Sequence, residues 1–307
     1  MRRHRRTTKI IAVAAVLTMF GLVACSASDN GGVVGGAVAP SGKLAPSGQM
    51  HGLLPSKILA AGVLTVGTEL GRAPLMFYGN GTTQPEGIEY ELLQAMARQL
   101  GVTIQIVDLP LEKLSSELLA GKIDVLMSGF IDLKALENTG VSFVDYLTGR
   151  TSVLVQDGDP SRVGGPDDLC GRLVGVLVGT AQQITASQID AACSARHLPP
   201  LRLKGAATHV ALLALLTSAQ VQADLDDSIV AAYSAQVSIG AGTVEVVGAA
   251  VDPVPYGIGI NKADTQLVTA IQAALRAIIT DGEYDEALSR WGGSEAALRT
   301  AGINQGI

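Results

Sequence analysis

Apolar residues in this chain alternate between two rhythms, and the alternation predicts a strand-then-helix order. Residues 63–67 (VLTVG) form a short apolar run of strand type. Residues 87–100 follow with Ile88, Leu92, Leu93, Met96 and Leu100 at helical spacing, and Gly101 closes the segment. A β-branched strand at 102–107, a helix at 111–120 and a strand at 123–127 continue the pattern. The same grammar returns downstream. It gives strands at 173–178, 201–203, 221–225 and 243–247, and helices at 180–192, 209–220 and 228–235. A long amphipathic helical region spans 264–290 and is interrupted around Gly282. Repeated βαβ units predict mostly parallel sheet with helices on both faces, and two tandem units suggest two lobes.

The first residues follow another pattern. Arg2, Arg3, Arg5, Arg6 and Lys9 precede an apolar run from 10 to 23, which is the shape of an export signal and is short for a membrane span. The run ends in Leu22-Val23-Ala24-Cys25, which resembles a bacterial lipobox. That resemblance implies cleavage before Cys25 and attachment of diacylglyceryl and an acyl chain such as palmitate. The Gly-, Ala-, Ser- and Pro-rich stretch 26–52 then reads as a flexible tether, because it has too few large side chains to offset its ordering entropy.

Composition narrows the function. Roughly 250 residues remain after the tether, enough for two lobes. The net charge of −6 offers no basic footprint for nucleic acid. Aromatics make up 4% of the chain, which argues against an aromatic sugar cleft. Two cysteines besides Cys25 remain, Cys170 and Cys193, and in an exported protein they are expected to pair. Four scattered histidines give no ligand cluster, so neither a metal nor another cofactor is expected.

Several segments in order resemble the polar-amino-acid family of extracytoplasmic solute-binding proteins that feed ABC importers. They are 64–68 (LTVGT) with Pro74, 87–93 (GIEYELL), 119–129 (LAGKIDVLMSG), Phe143 with Asp145, 169–180, 255–260 (PYGIGI), 279–284 (ITDGEY) and Trp291-Gly292. The resemblance implies an α/β fold like that of periplasmic binding proteins, with two α/β lobes joined by two hinge crossovers (type II). Its divisions would be a signal peptide at 1–24, a lipidated cysteine and tether at 25–56, the first lobe at 57–150, the second at 151–257 and the return to the first at 258–307. It implies a small polar solute, an ABC permease in the cytoplasmic membrane, a monomer held to the membrane by its lipid anchor alone, and no catalysis.

The family pattern also assigns a cleft. Ser128, Gly129 and Phe130 follow a strand end, and Thr180 starts a helix whose free N–H groups suit a carboxylate. Asp227 matches the aspartate that meets the ligand's α-ammonium, although an aspartate there also suits the cap of the next helix. Asp226 is the lesser candidate and Asp224 is expected to face elsewhere. The chain departs from the pattern in three places. The carboxylate-binding arginine is replaced near Leu136, two aromatic positions become Leu75 and Leu111, and the first-loop tyrosine becomes Arg72. Arg72 is the substitute for the missing guanidinium, or else the ligand is not a standard α-amino acid. Glu69, Asp132 and Asp227 are expected to make the cleft acidic and to favour an amine-bearing solute. Lys134, His197, His209 and Trp291 read as surface or packing residues. Two other functions fit the same fold: a dehydratase of cyclic acids with Glu69 or Asp132 as proton donor, and a sensing lipoprotein uncoupled from transport.

Overall fold

A computed structural model describes residues 50–79, 81–237 and 243–307; Cys25 lies outside the described residues. The strands are β1 (Val63–Thr68), β2 (Phe77–Tyr78), β3 (Pro85–Glu86), β4 (Thr103–Asp108), β5 (Val125–Leu126), β6 (Val141–Gln156), β7 (Leu173–Leu177), β8 (Arg202–Ala206), β9 (Ala223–Asp227) and β10 (Val244–Asn261). The helices are α1 (Ser56–Ala61), α2 (Ile88–Leu100), α3 (Leu111–Leu119), α4 (Lys134–Glu137), α5 (Ala181–Ala195), α6 (His209–Thr217), α7 (Ser228–Val237), α8 (Thr265–Asp281) and α9 (Glu283–Arg290).

Each helix of the first βαβ run follows from its apolar stripe. α2 buries Ile88, Leu92, Leu93, Met96 and Leu100, and ends at Gly101 in the left-handed conformation that a β-carbon disfavours. α3 buries Leu111, Leu114 and Leu118 on one face. Packing begins ahead of α1, because Leu54 is fully buried in the same core as Ile58, Leu92 and Leu267.

One sheet runs through the molecule in the order β4-β1-β5-β10-β6-β9-β7-β8. Its outer thirds are parallel: β1 pairs with β4 and β5, and β7 pairs with β8 and β9. The middle is antiparallel, through β10 against β5, β10 against β6 and β6 against β9. The expectation of a mostly parallel sheet therefore holds only within each βαβ run. The two long strands β6 and β10 pass between the runs in opposite directions, and a return strand cannot be parallel to the strand it retraces. The result is the two-lobed α/β architecture of type II periplasmic binding proteins.

The strand expected at 123–127 is only Val125–Leu126, and the one expected at 243–247 is the start of the much longer β10. Tyr256 on β10 crosses the face of β6 at Gly149, where a β-carbon would stand 2.2 Å from the tyrosine ring. Glycine is required there by close approach.

Cys170 and Cys193 lie at disulfide distance, with Cα atoms 5.6 Å apart, and join the approach to β7 to the last turn of α5. The lobes also touch through side chains beside the hinge strands. Leu111, Leu114 and Phe143 form one cluster with Leu177, Ala206 and Leu212. On another edge, Tyr233 of α7 lies with its ring centroid 6.0 Å from Phe77 and 6.4 Å from Trp291, which meets Phe77 edge-on at 5.6 Å.

Candidate functional site

The carboxyl ends of β1, β5 and β9 converge between the lobes, where ligands of open α/β sheets bind. The loop after β1 supplies Glu69 and Arg72. The Glu69 amide donates to Ser128 Oγ at 3.1 Å, and Arg72 Nη1 donates to the Ser128 carbonyl at 2.9 Å. Ser128 thus ties the first loop to the turn after β5. Gly129 sits in that turn at φ +55, and a β-carbon would stand 2.8 Å from Arg72 Nη1 and 2.9 Å from Leu75 Cδ1. Only glycine satisfies both the backbone angle and the packing of arginine and leucine over it.

Beneath this turn Glu89 is fully buried. Its Oε1 accepts the Gly129 amide at 2.6 Å and also the Tyr146 hydroxyl. Burial raises the Glu89 pKa, against the opposing pull of the Tyr146 and Gly129 hydrogen bonds. The pair fixes the floor of the cleft by orienting backbone that the first loop then contacts.

Asp227 ends β9 and is fully buried. Its Oδ1 accepts the amides of Ile229 at 2.8 Å and Val230 at 3.2 Å, and its Oδ2 accepts the Tyr256 hydroxyl at 2.7 Å. It therefore caps α7, as one of the two sequence readings held. These bonds use three of the roughly four acceptor positions of a carboxylate. Burial raises its pKa, while Arg72 and the Tyr256 hydrogen bond pull the other way.

Arg72 is 2% exposed and carries charge among acids. Burial opposes that charge, but Tyr256, Asp227, Asp226 and Glu69 together raise its pKa above the usual value. Among the described residues no carboxylate stands within 4.0 Å of the guanidinium, and Nε has no hydrogen-bond partner. Glu69 matches this on the acidic side. It is 8% exposed, its Oε2 is unpartnered, and burial raises its pKa against the pull of Arg72 and His209. The cleft thus holds an unspent donor on Arg72 and an unspent acceptor on Glu69, both desolvated, with Glu89 Oε2 a further unpartnered oxygen at its floor.

The remaining candidates separate. Leu75 packs on Gly129, and Leu111 belongs to the apolar cluster with Leu177 and Leu212. The Phe130 ring stacks on Phe143 at 6.3 Å, against a hinge strand. The Thr180 hydroxyl donates to the Leu177 carbonyl at 2.7 Å and makes no cap bond to α5. Asp132 does not join the cleft acids. Its backbone and side chain meet the last residues of the chain at Gly306 and Ile307, and its charged neighbours are Asp145, Glu137 and Lys134. The strand entering the turn carries Ser128 into the cleft, and the chain has reversed by Asp132. Lys134 binds Glu137 and the Asn304 carbonyl.

Sequence reasoning missed four residues of this site. Tyr256 and Glu89 stand inside segments that it quoted, but nothing local marks their partners. Gln182, 2% exposed, approaches Tyr256 with Nε2 3.4 Å from the hydroxyl. His209 reads as the polar start of an apolar helix, whereas it is 6% exposed and its Nδ1 lies 3.1 Å from Asp226 Oδ2. Asp226, the lesser candidate by sequence, is as buried as Asp227.

With this geometry in place, the comparisons are specific. Residues 64–294 match the family of bacterial extracellular solute-binding proteins, family 3. The chain belongs to that family. The arginine-binding protein ArgT of Corynebacterium glutamicum is 27% identical over 301 residues, covering 95% of this family-3 chain and 94% of its relative. An ancestral arginine-binding protein bound to arginine superposes with a TM-score of 0.67 at 28% identity, over 75% of this chain and 98% of that one. The same TM-score and identity relate it to an ancestral arginine-binding protein bound to glutamine, over 76% and 98%. Family membership makes this a solute-binding protein of the extracytoplasmic type, of a class generally paired with ABC permeases. Among the described residues no group of three or more metal-ligating side chains comes together.

Proposed function

We propose that this protein is the substrate-binding lipoprotein of an ABC importer and captures a small amino-acid-type solute bearing both an ammonium group and a carboxylate. Cys25 carries the lipid, the segment from there to about residue 49 is the tether, shorter than the 25–56 expected because Leu54 already packs in the core, and the lobes divide within β6 and β10, near residues 151 and 258. The solute lies between Glu69, Arg72, Ser128, Gly129 and Asp227, with Leu75 and Leu111 as apolar walls. Phe130 and Thr180 shape the rim through their backbone.

One observation carries this reading. Arg72 is a buried guanidinium without a directly paired carboxylate, and such a charge is costly unless an anion completes it. A solute carboxylate matches its planar donors. The unspent Glu69 oxygen and the remaining acceptor position of Asp227 suit the solute's positive end. Relatives that bind arginine or glutamine support the same class. Closure of two lobes over a ligand is a recognised hinge motion and would present a distinct shape to a permease.

A thermal-shift screen of amino acids, their decarboxylated and deaminated analogues, polyamines and betaines tests the reading. A specific ligand raises the melting temperature as mass action requires. The best ligand is expected to carry both charges, and Asp227→Asn to weaken it, since the change removes charge and keeps shape. A best ligand without a positive charge, or unchanged binding by Asp227→Asn, would overturn the assignment. For the anchor, Cys25→Ser is expected to release the protein from membranes, and equal retention of the two forms after a salt wash would count against it.

A further inference from the structure

The second lobe presents two adjacent buried aspartates to the cleft, and they are treated differently. Asp227 caps α7 and meets Tyr256. Asp226 accepts the Asp227 amide through Oδ1 at 2.8 Å, and its Oδ2 faces His209 Nδ1 at 3.1 Å. His209 opens α6, and its other ring nitrogen lies 3.4 Å from Ser234 Oγ on α7. The charged groups that face it are Asp226 from its own lobe, and Arg72 and Glu69 from the loop after β1 in the other lobe. Across the cleft, four carboxylates (Glu69, Glu89, Asp226 and Asp227) thus face Arg72, and two of them, Glu69 and Asp226, also face His209. If His209 loses its proton, Arg72 alone faces the four.

The geometry points to His209 as a specificity-determining residue, whose proton sets how much positive charge a solute must bring for the lobes to close on it. This rests on the solute site proposed above. With the imidazolium present, the second lobe's acidic face is largely neutralised, and Glu69 of the first lobe can approach it around a solute of zero net charge. Without it, Asp226 and Glu69 each lose one of the two cations that lower them, and a solute carrying an extra cation gains relative to a neutral one of the same shape. Burial opposes charge on the imidazole, but Asp226 outweighs it, so the His209 pKa lies above the ordinary 6.5. Burial likewise works to raise Asp226, and His209 reverses the sign and lowers it. The charged pair therefore persists below the raised histidine pKa and is lost as pH climbs through it.

Arginine and citrulline are suitable probes, being matched in length and shape and differing by the side-chain charge. Calorimetric titration of the full-length protein at about pH 5.5 and about pH 8.5 gives the ratio of their Kd values. The preference for arginine over citrulline is expected to rise by about tenfold between the two, the size of a one-unit pKa coupling. In His209→Gln the ratio is expected to be flat and fixed near the high-pH value. A flat ratio in the parent protein, or an unaltered pH dependence in His209→Gln, overturns the inference. If His209→Gln does not melt cooperatively, Asp226→Asn takes its place. Removing the carboxylate that holds the proton must move the transition to lower pH, and an unmoved midpoint is equally fatal. If neither probe binds at any pH, the proposed solute class fails and His209 loses its role with it. Binding with a flat ratio removes only the role of His209.

Discussion

Two groups of buried acids in this protein resolve the same electrostatic problem in opposite ways. In the cleft, Glu69, Asp226 and Asp227 are desolvated but share Arg72 and His209. Beneath the chain's last residues, Asp132 and Asp145 are desolvated together, and the nearest cation, Lys134, spends its charge on Glu137 at the surface. Neither Asp132 oxygen has a hydrogen-bond partner, nor does Asp145 Oδ1. Burial, then Asp145, push Asp132 up to about 7. Buried acid beside buried base has its upward shift opposed, and for Asp226 reversed, by a cation, and can hold a charged solute. Buried acid beside buried acid has that shift reinforced, and Asp132 holds its proton towards pH 7.

The sharpest way to break this contrast is Arg72→Ala. It removes the cation that the cleft acids share, and truncating one member of a buried charge network costs on the order of 2–5 kcal/mol. Solute affinity measured by calorimetry is expected to fall roughly 100-fold. Retained affinity would show that the cleft acids do not depend on it.

A smaller effect is expected of Glu69→Gln, which keeps the shape and removes the unspent charge. Affinity for a cationic solute should fall about tenfold, the scale of one charge-assisted hydrogen bond, with affinity for a neutral solute little changed. Equal losses for both would mean that Glu69 positions Ser128 rather than reads charge.

The third change acts on the other group and should leave binding alone. A carboxyl whose folded pKa exceeds its unfolded value binds its proton more tightly when folded. The Asp132 contribution is therefore present in acid and is lost as pH rises from about 4 towards about 7. Asp132→Asn is expected to raise the melting temperature by a few degrees near pH 8, about 1–2 kcal/mol for a chain of this size, and to change it little near pH 4. An equal shift at both pH values would rule out a role for this proton.

The same contrast shows how far the sequence could be read. The βαβ runs were legible because helix period, strand alternation and terminal glycines such as Gly101 are local signals. The segments around Ser128 and Asp227 were legible through the family pattern, and so was the substitution of Arg72. The length of β6 and the antiparallel centre were not, because strand pairing is decided by partners distant in the chain. The place of Asp132 and the charged partner of His209 were illegible for one reason. A carboxylate four residues beyond Ser128 looks like a cleft acid, and a histidine at the head of Val210, Leu212 and Leu216 looks like a helix terminus. Which charge each meets is fixed by Asp145 in one case and Asp226 in the other, and no local spacing encodes either partner.

The aromatic contact at the far rim has an optical consequence. Trp291 is the chain's one tryptophan, its indole N–H is bound to Glu91 Oε1 at 2.9 Å, and its ring neighbours come from both lobes. All indole emission from this protein therefore arises at a single point on the seam. Separation of Tyr233 from Trp291 would wet one face of the ring and shift the emission to the red. The native chain thus carries its own unlabelled gauge of lobe opening, readable in the same cuvette as a binding titration.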